Sequence, residues 1–318
     1  MGFSVKISAE QGYHVISLKD ESSNCEAAIY SFGALLNAFS INTPERSINV
    51  VDGFSSPADA IKNIAAGFNS AKLSPFVCRL DKGEYSFAGV HHKIRKHYLG
   101  DEAIHGLLYN AVFDISDYKE TDEHATVTLS YTYNNNEEGF PYAYEMMVEY
   151  MLGKNNQLTV TTKVKNTGDR NFPLSDGWHP YFTLGETVND LSVQFNADQM
   201  VEFDERLLPT GMLLHNNKFA QSTPFGETFL DNCFVLKDFE NDSCVLRDEN
   251  SGLQLTIKAG QSYPYLQVYT PPHRKSIAVE NLSSPPDAFN NGMSLIIAKP
   301  GETYNFSTSY ILQLVTGF

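Results

Sequence analysis

The chain has 318 residues, 42% hydrophobic and 12% aromatic, which is ample for a packed core and argues against overall disorder. A formal net charge of −15 and a pI near 5.0 exclude a diffuse basic surface, so nucleic acid is a poor partner. Strongly anionic substrates would need a local cationic pocket to overcome that field.

The first residues, Met1-Gly2-Phe3-Ser4-Val5-Lys6, lack the long apolar core of a secretion signal, and no stretch nears the roughly 18 apolar residues of a membrane span. Cys25, Cys78, Cys233 and Cys244 show no CxxC spacing, so reduced thiols are expected. These features together predict a soluble, cytoplasmic protein without a membrane partner. The best helix signal is Ser56-Pro57-Ala58-Asp59-Ala60-Ile61-Lys62-Asn63, with Ser56 as N-cap and Pro57 at the first helical position.

The run His91-His92-Lys93-Ile94-Arg95-Lys96-His97 holds three histidines. Its three cations oppose a metal's charge and it contains no carboxylate, so a solvated strand or loop is the stronger reading. Binding of a substrate phosphate is the minority one. Thr126–Tyr133, Leu158–Val164 and Leu253–Ile257 alternate apolar and polar residues with period 2, as half-buried strands do. Tyr310–Leu314 is less regular, with Ile311 next to Leu312, and is expected to be buried on both faces. Turn clusters at Asn134-Asn135-Asn136, Gly153-Lys154-Asn155-Asn156 and Asp248-Glu249-Asn250-Ser251-Gly252 punctuate these runs. No repeat or long linker divides the chain. An all-β, mainly antiparallel domain spanning residues 1–318 is the simplest reading.

No P-loop, G-x-S-x-G or G-x-G-x-x-G motif is present. Two later segments carry chemistry instead. In Gly177-Trp178-His179-Pro180-Tyr181-Phe182, Pro180 cannot donate to a ladder, which places the segment at an edge, bulge or strand end. Trp178 and Tyr181 beside His179 suit an amphipathic ligand such as a sugar, although an aromatic core around one satisfied histidine fits equally well. In Ile277-Ala278-Val279-Glu280, alternation sets Ile277 and Val279 on one face, with Ala278 and Glu280 on the other. Taken alone, that segment reads as a surface glutamate. His105, in Ala103-Ile104-His105-Gly106, is a third candidate, distant in sequence from the other two.

Several short segments, in order, resemble the aldose 1-epimerase (mutarotase) family of the galactose mutarotase-like group. They are Ile29-Tyr30-Ser31-Phe32-Gly33-Ala34, Asn49-Val50-Val51-Asp52-Gly53-Phe54, Val77-Cys78-Arg79-Leu80 and Ile104-His105-Gly106, followed by His179-Pro180-Tyr181-Phe182 and Phe229-Leu230-Asp231-Asn232. Val279-Glu280 with Pro285-Pro286-Asp287-Ala288-Phe289-Asn290, and Pro300-Gly301-Glu302-Thr303-Tyr304, complete the series. Departures surround the site. Trp178 replaces an Asn, Asn281-Leu282 replace Thr-Gln, and the Gly-Arg before the Arg79 motif is missing, with Ser74-Pro75-Phe76 in its place.

The resemblance implies a large β-sandwich of the supersandwich type and interconversion of the α and β anomers of a free aldose. Glu280 would be the base and His179 the acid, while Arg79, His105 and Asp231 hold the sugar. No metal or redox cofactor is required by that reaction, and a monomer or homodimer is expected. Reference pKa values of about 4.3 for Glu and 6.5 for His suit the two roles, and nearby carboxylates are expected to keep His179 protonated. Alternatives on the same fold are a hexose-6-phosphate mutarotase, with Lys93, Arg95 and Lys96 as its cationic cluster, and a non-catalytic sugar-binding protein. A glycoside hydrolase is more distant. It would need two carboxylates about 5–9.5 Å apart.

Overall fold

The computed structural model describes residues 2–44 and 46–315. Three antiparallel sheets dominate. A five-stranded sheet runs in chain order from Phe3–Glu10 to Ser47–Asn49. A nine-stranded sheet centres on the long strands His124–Asn134, Ala143–Gly153, Gln157–Asn166 and Thr303–Leu314. An eight-stranded sheet orders Pro209–His215, Ala197–Phe203, Asp231–Leu236, Tyr265–Tyr269, Ile277–Leu282, Gly177–His179 and Ala71–Leu73, with Tyr181–Phe182 also pairing to Ile277–Leu282. The all-β reading therefore holds.

The period-2 segments become strands with one buried face: Ala125, Val127 and Leu129 are buried in the first, and Leu158, Val160, Thr162 and Val164 in the second. Tyr310–Leu314 departs from expectation. It ends a strand in which Phe306, Thr308, Tyr310 and Leu312 are buried while Gln313 and Leu314 are exposed, so only one face is covered. Solvent reaches the other side of the nine-stranded sheet there. The predicted helix forms over Pro57–Gly67, where the Ser56 hydroxyl accepts from the Asp59 amide at 3.2 Å. Phe68 closes that helix with a left-handed φ of 59°.

Two hydrophobic clusters sandwich the eight-stranded sheet. Trp178, Phe234, Leu266, Val268, Ile277 and Val279 belong to a core shared with the other two large sheets. On the opposite face, Cys233, Tyr265 and Leu282 pack with helix residues Ala60 and Ile64 and with Phe68 and Ile104. The sheet is thus covered on both sides, and side chains directed to its second face sit beneath the helix.

One ion pair is fully enclosed. Lys72 Nζ lies 2.5 Å from Asp176 Oδ1, with both side chains at 0% exposure. The lysine also donates to the Gly177 carbonyl at 3.0 Å and sits 4.3 Å from the Trp178 ring centroid. Tyr263 donates to the same aspartate oxygen at 2.7 Å, and the Asp176 amide donates to Ser283 Oγ. Burial lowers the Lys72 ammonium to about 8, against the pull of Asp176. The pair joins Ala71–Leu73 to the turn entering Gly177–His179. Lys72→Met alone strands a buried carboxylate and should destabilise by about 3–5 kcal/mol in urea unfolding, whereas Lys72→Met with Asp176→Leu should recover most of that loss.

Candidate active site

The second face of the eight-stranded sheet gathers polar groups from distant parts of the chain. Gln267 lies directly opposite Glu280 in the ladder, Tyr269 opposite Ala278, and Asp231 opposite Tyr269. Gly177–His179 pairs on the other side of Ile277–Leu282 and brings His179 next to Glu280, with Nε2 and Oε1 3.4 Å apart. Pro180 interrupts the ladder between Gly177–His179 and Tyr181–Phe182, the strand end anticipated from its missing donor. The Tyr181 ring centroid sits 5.0 Å from that of His179.

Arg79 and His105 arrive from a small sheet in which Ile104 pairs with Arg79. The His105 amide donates to the Cys78 carbonyl at 2.9 Å, and both residues hold left-handed backbones, φ 60° and 49°. Gly106 follows with φ 75°, and a Cβ there would lie 2.2 Å from the Ser74 carbonyl oxygen, so only glycine fits beside the histidine. The Phe68 ring, delivered by the helix end, meets His105 at 4.5 Å between centroids. Arg206 pairs with Asp81 and Glu102, tying the loop that carries Leu207 to this small sheet.

Arg79, His105, His179, Tyr181, Asp231 and Glu280 line one cavity of about 230 Å³, with Cys78, Gln267 and apolar Phe68, Leu99, Phe203 and Leu207. That volume lies below the roughly 300–1,000 Å³ usual for drug-sized ligands, so the occupant is small. A larger cavity of about 640 Å³ beside Asp190 and Asp248 has no histidine in its lining. The Asp248 carboxylate there already accepts from the Asn250 amide and the Ser251 hydroxyl.

Trp178 does not line the cavity and must be corrected. Adjacent to His179 in one strand, it points to the opposite face, into the core beneath Lys72 and Tyr150. The cationic run also lies elsewhere: Lys93 pairs with Glu84, Arg95 with Glu138 and Lys96 with Glu137, and none reaches the cavity. His92 stacks on Tyr85, and the His97 ring bonds the Tyr109 hydroxyl at 2.5 Å. Glu280, far from being a surface residue, is 2% exposed. Gln267 was missed. Its amide donates to Asp231 Oδ1 at 2.9 Å, and the alternation of Leu266 and Val268 with Tyr265, Gln267 and Tyr269 marks it.

Electrostatics here are set by burial. Desolvation raises the Glu280 carboxyl well above its ordinary 4.5, helped by the charge of Asp231. It lowers the His179 imidazole to about 4, and takes His105 well below 6.5, with His179 and Arg79 adding to that push. Asp231 is also raised by desolvation, opposed by Arg79 and Gln267. The expectation of a protonated His179 therefore fails: exclusion of water outweighs attraction by neighbouring carboxylates. Burial thus works against charge on both partners of the pair. Arg79 is the one lysine or arginine in the cavity lining and forms no salt bridge among the described residues.

Comparisons with known proteins agree with this architecture. The family profile described as aldose 1-epimerase matches residues 14–311. The chain is 28% identical to the uncharacterised protein YihR of Escherichia coli K12, covering 73% of this chain and 75% of that one. It is 21% identical to the galactose mutarotase of Sus scrofa, over 92% and 93% of the two chains. Among solved structures, a galactose mutarotase-like protein from Clostridium acetobutylicum superposes with a TM-score of 0.86 at 17% identity, covering 99% of both chains. Galactose 1-epimerase from Lactobacillus acidophilus NCFM gives 0.83 at 20% identity, covering 99% of this chain and 100% of that one. At such identities the superpositions establish the fold.

The raised carboxyl has a consequence for stability. Its folded value lies above the unfolded one, so its contribution is complete below about pH 4.5 and is lost as pH rises toward the folded value. Glu280→Gln, a neutral near-isostere, should therefore be more stable than the parent at pH 7. The gain should grow by about 1.4 kcal/mol per pH unit while native Glu280 keeps its proton. Urea unfolding between pH 6 and 8.5 measures it, and a pH-independent difference would place an ionised Glu280 in the folded protein.

Proposed function

The chain belongs to the aldose 1-epimerase family, and from that premise we propose that it interconverts the anomers of a small unphosphorylated aldose. The observation that carries this reading is the buried contact of His179 Nε2 with Glu280 Oε1, 3.4 Å apart in a cavity of hexose scale. Mutarotation needs one group to take the anomeric hydroxyl proton and another to deliver a proton to the ring oxygen. Glu280 as carboxylate and His179 as imidazolium do both at once, and the C1–O5 bond breaks to leave an aldehyde. The proton count of the pair is unchanged, since one group gains what the other loses.

After ring opening Glu280 is a neutral acid and His179 a neutral base. Burial favours that same distribution in the free protein. The site is thus tuned to the open-chain sugar, while the cyclic form needs the ion pair. Sugar hydroxyls support a carboxylate on Glu280 when the ring is bound, while Arg79 offsets the charge of neighbouring Asp231. Rotation about C1–C2 and reclosure, with acid and base exchanged, yields the other anomer. In this reading Arg79, His105 and Asp231, which line the same cavity, hold the sugar hydroxyls, and Gln267 bonds Asp231.

A single arginine in the lining, opposite the carboxylates Asp231 and Glu280, favours an uncharged sugar over a phosphorylated one. Polarimetry of fresh α-D-glucose, α-D-galactose and glucose 6-phosphate should show the highest kcat/KM on a free hexose. Glu280→Gln and His179→Asn should each lower kcat by about 10²–10⁴-fold with sugar affinity largely kept. Saturable binding without any acceleration by the parent protein would make it a sugar-binding protein instead.

A further inference from the structure

We propose that Cys78, His105 and Glu280 form a binding site for a thiophilic divalent cation, Zn²⁺ above all, at the base of the same cavity. One ligand atom from each lies within 4.8 Å of the others, the one such cluster among the described residues. The site shares Glu280 and His105 with the reaction proposed above, so a bound ion and a bound sugar exclude one another, while the metal titration below reads the site whether or not that reaction holds.

The donors are of the right kind. A thiolate, a neutral imidazole and a carboxylate together match borderline-soft Zn²⁺, with a fourth tetrahedral position open to water, and their two negative charges balance the ion. Zn–ligand distances of about 2.0–2.3 Å put tetrahedral donors about 3.3–3.8 Å apart. The three side chains need only draw together by about an ångström from their present spacing.

The donors are also poorly satisfied as they stand. His105 is 5% exposed, and its Nδ1 has no hydrogen-bond partner. The Cys78 thiol has only a long 3.9 Å contact with Glu280 Oε2. Backbone geometry holds two of the donors in place: the His105 amide is bonded to the Cys78 carbonyl, and both residues keep a left-handed φ that ordinary side chains avoid. Binding expels the thiol proton, so metal uptake releases acid.

The test uses the full chain stripped by chelator and titrated with Co²⁺. Binding at this site should reach one equivalent and give an intense thiolate-to-cobalt charge-transfer band, which Zn²⁺ then bleaches by displacement. Cys78→Asn should abolish the band and weaken Zn²⁺ binding by at least about 100-fold in calorimetry. Asparagine tolerates the left-handed backbone, so this variant should fold, and circular dichroism checks that it does. Cys233→Ser, which removes the other thiol near Glu280, should keep the band. Absence of a thiolate band in the parent, or unchanged Zn²⁺ affinity in folded Cys78→Asn protein, overturns the proposal.

Discussion

Removing Glu280 and His179 from water together is the constraint on which the rest of the site depends. An isolated buried charge costs many kcal/mol, and a buried ion pair recovers that only with excellent geometry and further hydrogen bonds. At 3.4 Å, with the His179 Nδ1 lacking a partner, this pair does not meet that standard. Burial therefore favours the neutral form of each partner. The surrounding structure supplies what neutrality requires: a sheet covered on both faces, a helix end that closes over His105, and a loop clamped by Arg206.

The contrast with Lys72 and Asp176 is instructive. That pair lies closer, at 2.5 Å, and gathers bonds from Tyr263 and to the Gly177 carbonyl. It is built to stay put and to anchor the strand that carries His179. The Glu280–His179 pair is looser, at 3.4 Å, and the His179 Nδ1 has no hydrogen-bond partner. One chain thus treats two buried acid–base pairs differently, and the difference lies in how many other groups satisfy each.

Much of this was legible in the sequence because strand alternation is a strict rule. Ile277 and Val279 pointing away from Glu280 could be read directly, and so could the strand break at Pro180. The same rule should have removed Trp178 from the site, since a neighbour of His179 within a strand must face the core. Gln267 was also within reach, as the polar member of a strand whose other face is Leu266 and Val268. Burial could not be read locally: Glu280 looks exposed until the Pro57–Gly67 helix and the small Arg79 sheet are folded over it. The lowered His179 imidazole was missed for the same reason, because net acidity says nothing about how completely water is excluded from one pair. Nor could spacing reveal that Cys78, far from His105 and Glu280 in sequence, converges with them.

The central claim is that burial raises the Glu280 carboxyl well above its ordinary range, so that it keeps its proton where exposed carboxyls have lost theirs. Infrared spectroscopy reads this directly, because a protonated carboxyl absorbs apart from carboxylates and from amide bands. The difference spectrum between the parent and Glu280→Gln, followed upward from pH 5, should contain a protonated-carboxyl C=O stretch that the variant lacks. A difference spectrum with carboxylate bands alone would mean that burial does not control this pair, and the account would fail.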